Sequence, residues 1–123
     1  MLDHISIRVA DYERSKKFYS EALAPLGYTL LMESASGAGF RKEFIPDFWI
    51  KRGTPAPVVH IAFASPNRAT VDAFYRAALA AGGRDNGGPG LRPTYHPNYY
   101  GAFVLDPDGY NIEAVCHQSE QGE

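Results

Sequence analysis

The chain contains itself twice. Shifted by 56 positions, residues 4–27 lie on residues 60–83 without a gap. His4 meets His60, Ile5 meets Ile61, Phe18 meets Phe74 and Tyr19 meets Tyr75. Ala22, Leu23, Ala24 and Gly27 meet Ala78, Leu79, Ala80 and Gly83. Average residue usage would give roughly one or two such identities by chance. A duplicated unit restricts the fold more than any composition does, because both copies must adopt one topology and pack against each other.

Each copy reads as a strand followed by a helix. Ile5, Ile7 and Val9 alternate with His4, Ser6 and Arg8; Ile61 and Phe63 alternate with His60, Ala62 and Ala64. That period of two describes a strand with one apolar and one polar face. Asp11 and the matching Asn67 suit helix N-caps. Apolar stripes follow at spacings of three and four: Phe18, Tyr19, Ala22, Leu23 and Leu26, then Val71, Phe74, Tyr75, Ala78 and Leu79. Gly27 and Gly82-Gly83 suit the stops. Strands are then predicted at 28–33, 39–42 and 47–52, with turns at 34–38 and at Ile45-Pro46. In the second copy a hairpin over 99–106 and 110–117 turns on Asp106-Pro107-Asp108-Gly109. The Gly- and Pro-rich stretch 84–98 has room for only one short strand. The expected fold is α+β, with two tandem β-α-β-β-β modules forming a cupped mixed sheet and helices outside. A single domain over 1–123 divides into modules at about 1–55 and 56–123.

The chain has 12 basic and 14 acidic residues, 45% apolar and 13% aromatic residues. It has material for a core, and no charge imbalance that draws nucleic acid or an anionic membrane. No stretch approaches the ~20 apolar residues of a membrane span, and the opening Leu2-Asp3-His4-Ile5 has neither the basic region nor the long apolar region expected of a signal segment. One cysteine, Cys116, allows no internal disulfide and suits a reducing compartment, so a cytoplasmic location is expected.

The doubled unit, a His opening each first strand, and the closing run Gly101-Ala-Phe-Val-Leu-Asp-Pro-Asp-Gly-Tyr-Asn-Ile-Glu113 together resemble the vicinal-oxygen-chelate superfamily, which includes glyoxalase I, extradiol dioxygenases and bleomycin-resistance proteins. The resemblance covers nearly the whole chain. It implies a cavity for a metal and a small substrate, with His4, His60 and Glu113 at ligand positions, and it implies a homodimer. Alternation independently puts both histidines and Glu113 on the polar sides of their strands. Two imidazoles and a carboxylate suit a divalent ion (Fe, Mn, Ni or Zn) with positions left open for substrate. The alternative is that the histidines are hydrogen-bonded cavity residues and Glu113 an ion-pair partner.

The four-ligand pattern of glyoxalase I is not met, because aligning Asp47–Ile50 with Asn111–Ala114 puts Trp49 opposite Glu113. The remaining set is closer to the two-His, one-Glu site of extradiol dioxygenases. Catalytic candidates are Glu113, His96, as acid or base near its free pKa of ~6.5, and Tyr99. Arg8 and Arg92 are candidate donors to an anionic substrate, while Trp49 and Tyr95 are candidate cavity walls. Cys116 and His117 are assigned no role. Two readings stand: a metal-dependent lyase, isomerase or dioxygenase acting on a small oxygen-rich substrate, and a metal-free small-molecule binder of the bleomycin-resistance type.

Overall fold

The alternating N-terminal segment forms β1 (Ile5–Val9), which buries Ile7 and Val9 and exposes Ser6 and Arg8. The computed structural model describes residues 2–57 and 59–120. The ends of the expected 1–123 domain, residue 1 and residues 121–123, lie outside the described residues, as does residue 58 beside the expected module boundary. Asp11 caps helix α1 (Tyr12–Ala22), its side chain accepting from the Arg14 N–H. That bond satisfies one of the donors a helix start leaves without an internal partner. Pro25 cannot continue the helix, so the stripe expected to run on to Leu26 passes into a 3-10 turn, Ala24–Leu26. Gly27 closes that turn at φ +87°, where a side chain would be strained.

Strands β2 (Thr29–Glu33), β3 (Gly37–Arg41) and β4 (Phe48–Arg52) complete the first module. Its sheet has the order β1-β4-β3-β2, with β1 and β4 parallel. The second module repeats the plan. It comprises β5 (His60–Ala64), helix α2 (Arg68–Ala80) capped by Asn67, β6 (Arg84–Asp85), β7 (Gly90–Leu91), β8 (Tyr100–Leu105) and β9 (Asn111–Cys116). Its order is β5-β9-β8-β6, with β7 also on β8. The two cupped sheets are separate mixed sheets rather than one. The 84–98 stretch holds two short strands where one was expected. Each has only two residues, held by pairing to β8 rather than by its own propensity.

Helix α1 packs on β4, α2 on β8 and β9, and the helices touch each other. Phe18, Tyr19, Phe40, Phe48, Phe63, Phe74 and Ile112 join in one apolar core spanning both modules. Phe48 and Phe63 cross the seam edge to face at 5.3 Å. The β8–β9 turn fastens the halves together. Tyr19 donates to Asp106, Tyr110 OH donates to the Arg8 carbonyl at 2.7 Å, and the Ala10 N–H donates to Asp108 at 3.1 Å. With the apolar faces turned inward, the opposite face of each sheet is left for chemistry.

Candidate functional site

The parallel registers of the two modules superimpose. Ser6 pairs with Trp49 in the first sheet, and Ala62, 56 positions after Ser6, pairs with Glu113 in the second. Trp49 therefore stands in the place of Glu113, as the alignment of the two final strands predicts. The indole is accommodated by Gly39: a Cβ there would lie 2.8 Å from the Pro46 Cβ and 2.9 Å from the Trp49 Cη2. The corresponding position on β8 carries Phe103, which pairs with Glu113.

On the second sheet Glu113 is 1% exposed, and both its oxygens are engaged. His60 Nε2 stands 2.9 Å from Oε1, and the Tyr99 hydroxyl donates to Oε2. A carboxylate buried this far needs such partners, because desolvation without them is costly. Burial first, then the carboxylate that accepts its proton, hold the Tyr99 phenol well above its ordinary pKa. Tyr99 is thus a fixed donor at neutral pH. Above this pair lies a cavity of about 370 Å³ lined by His60, Tyr95, His96, Tyr99, Phe103, Glu113 and His117. The Tyr95 and Tyr99 rings lie 4.8 Å apart and the His60 and Phe103 rings 6.1 Å apart.

His117, assigned no role from sequence, is part of this wall. Its ring lies edge to edge with that of His96, the centroids 5.0 Å apart and the planes inclined by 28°, and His96 Nε2 lies 2.8 Å from His117 Nδ1. No local pattern signals the pairing, since 21 residues separate the two and only the β8–β9 hairpin brings them together.

Other expected residues fall elsewhere. His4 immediately precedes β1, is half exposed and has Asp3 as its partner at 2.8 Å. It lines a small cleft with Asp47, Ile61 and Ala62 at the seam between the modules. Arg8 lies on the first sheet's polar face beside Lys51, in a depression of about 600 Å³ that also involves Ser6 and Thr54. Arg92 donates to the Gly88 carbonyl at 2.7 Å and lies over the Phe103 ring at 5.4 Å.

The hydrogen-bonded His60 and Glu113 supply two donors of the kind that a divalent ion takes. Two ligands at ~2.1 Å from one ion and at right angles stand about 3 Å apart. The Nε2–Oε1 separation is 2.9 Å, with nitrogen and carboxylate chemistry that suits a transition metal. Among the described residues, however, no three His, Cys, Asp or Glu side chains group together, so His4 does not join the pair within the chain.

The sequence matches the family model of the Glyoxalase/Bleomycin resistance protein/Dioxygenase superfamily over residues 1–114. The chain belongs to that superfamily. A glyoxalase/bleomycin resistance protein from Albidiferax ferrireducens T118 is 31% identical, with a TM-score of 0.80 over 94% of this chain and 98% of that one. The uncharacterized protein YqjT of Bacillus subtilis (strain 168) is 25% identical over 94% of this chain and 98% of its own length. A lactoylglutathione lyase from Agrobacterium tumefaciens, 14% identical, shares the fold with a TM-score of 0.69 over 94% of this chain and 92% of its own. Among the described residues no helix is long and apolar enough to cross a membrane.

Proposed function

We propose that the chain is a divalent-metal-dependent enzyme of lyase, isomerase or dioxygenase type acting on a small oxygen-rich substrate. The observation carrying this reading is the buried Glu113 carboxylate, bonded to His60 on one oxygen and Tyr99 on the other, at the wall of an aromatic-lined cavity. A bound Fe, Mn, Ni or Zn ion would supply Lewis acidity toward adjacent substrate oxygens. His60 and Glu113 would hold it, Tyr99 fixing the carboxylate rotamer through Oε2. His4 is the proposed third ligand, supplied across a homodimer interface, a role for which its half-exposed ring is open.

Tyr95 and Phe103 would sandwich a flat substrate. Tyr99, which donates to Glu113, and His96, which donates to His117, are proposed to act on its oxygens through those partners. Arg8 and Lys51 form a cationic wall suited to an anionic substrate, with Trp49 closing the first sheet's face. Arg92 is proposed to act on substrate through the loop it clamps. A cytoplasmic location accords with the lone, buried Cys116 thiol.

The test is elemental analysis of protein purified without a histidine tag, followed by Mn(II) titration of wild type and Glu113→Ala. Stoichiometric metal that is lost in the variant supports the reading. Undiminished metal in Glu113→Ala removes Glu113 as a ligand. A second reading, a metal-free binder, is favoured by the cluster of rings formed by Tyr95, Tyr99, His96 and His117. Tight ligand binding without metal or turnover would select it.

A further inference from the structure

The His96–His117 pair has a direction that backbone geometry dictates. The Asn98 backbone N–H donates to His96 Nδ1 at 3.1 Å. A backbone amide can only donate, so His96 Nδ1 carries no proton and the neutral ring carries its proton on Nε2. That Nε2–H points at His117 Nδ1, 2.8 Å away, which must therefore accept. The His117 ring, neutral, has its remaining proton on Nε2. Among the described residues that N–H has no hydrogen-bond partner, and His117 lines the cavity that holds His60 and Glu113. Two neighbours in the wall are already committed: Tyr99 donates inward to Glu113, and both His96 nitrogens are engaged.

We propose that His117 is a ligand-binding residue of this cavity, presenting a fixed Nε2–H donor to an acceptor oxygen (carboxylate, carbonyl or enolate) of the bound molecule. His96 is its positioning residue, relaying the backbone constraint from Asn98 so that the cavity displays a donor and not a lone pair. The site thereby selects ligands with an acceptor oxygen at this end and rejects those that present only a donor. The assignment rests on the reading of the cavity as a ligand site, though not on a metal.

The test has two parts. Nitrogen NMR of the metal-free protein reads the tautomer of each imidazole. The expected result is the Nε2–H form at both His96 and His117, with the bias at His117 lost in His96→Phe; the Nδ1–H form at His117 in wild type overturns the proposal. Oxalate, planar and rich in acceptor oxygens, is then titrated into wild type, His117→Phe and His117→Gln, each with and without Mn(II). Loss of one charge-assisted hydrogen bond in His117→Phe should weaken oxalate on the order of ten-fold, while His117→Gln, which restores an N–H near the same place, should stay within about three-fold of wild type. Equal affinity in wild type and His117→Phe, equal loss in both variants, or no oxalate binding under either condition overturns it. Mn(II) binding that depends on Glu113 but oxalate affinity indifferent to His117 sinks this proposal alone. His117-dependent oxalate binding without any Mn(II) binding sinks the metal reading and leaves this one standing.

Discussion

Trp49 and Glu113 occupy the same register position in the two sheets, paired respectively with Ser6 and with Ala62. The duplication has thus put a bulky indole where its counterpart holds a carboxylate, and the small residue beside it, Gly39, is what lets the ring lie down. The two faces differ in character as a result. One is cationic and walled by Trp49; the other carries an acid, histidines and tyrosines.

The packing of Trp49 on Gly39 is testable as a coupled pair. Gly39→Ala should cost about 1–3 kcal/mol, because its Cβ would collide with Pro46 and the indole. In a Trp49→Ala background part of that clash disappears, so the two substitutions should be less than additive. Denaturant unfolding of the four proteins measures the cycle. Full additivity would show that the ring does not rest there.

Arg92 is predicted to matter first through the glycine loop. The loop joins β8 through Asn86 N–H to the Phe103 carbonyl at 3.0 Å and Phe103 N–H to the Gly87 carbonyl at 2.8 Å. Arg92→Ala removes a hydrogen bond and a ring contact, worth about 1 kcal/mol each at most. The expected result is faster hydrogen exchange at Asn86 and Phe103, with the α1 amides unchanged. Unaltered exchange alongside weakened ligand binding would instead make Arg92 a direct substrate contact.

Alkaline pH should loosen the fold in a defined window. Burial, then the Asp47 carboxylate, raises the Tyr28 pKa from 10.0 to about 12; burial, then Asp72, does the same for Tyr100. A raised phenol pKa in the folded state means that the native form holds its proton more tightly than the unfolded chain. The stabilisation is complete below pH 10 and is lost as pH rises through about 12. Denaturation midpoints across that range, in wild type and in Tyr28→Phe with Tyr100→Phe, should converge at the alkaline end. A midpoint independent of pH up to 12 would contradict the assignment.

Tyr110→Phe should cost about 1–3 kcal/mol, because it strands the Ala56 N–H and deprives the Arg8 carbonyl of its donor. Thermal unfolding should remain a single transition at a lower midpoint. Separate melting of the two halves would show that the turn is not what joins them.

Much of this architecture is legible in the sequence because the repeat carries it. Matching Ile5 to Ile61 and Phe18 to Phe74 places the strands and helices, and the same match, extended to the final strands, exposes the Trp49 substitution. Local periodicity did not reveal contacts made across the hairpin. His117 follows a strand ending in apolar residues, and only the return of β8 brings His96 to it. Likewise β6 and β7 have no strand-like sequence of their own. Arg84–Asp85 and Gly90–Leu91 become strands only where β8 offers hydrogen bonds. His4 matches His60 in sequence, yet equivalence within a repeat does not bring two side chains to one point. His60 opens β5, whereas His4 lies just ahead of β1 and turns to Asp3.

The turn at Asp106–Tyr110 also bears on how the protein is made. The Ala10 N–H, the Arg8 carbonyl and the Tyr19 hydroxyl belong to the first module, yet their partners lie 98, 102 and 87 residues further along. During synthesis the first half emerges with a helix start and a core phenol that have no mates until nearly the last strand is translated. A ribosome-bound fragment therefore cannot settle into its final form early, and folding waits on contacts of high sequence separation, which form slowly. A stop codon anywhere before Asp106 would leave the first half lacking its own latch as well as the second.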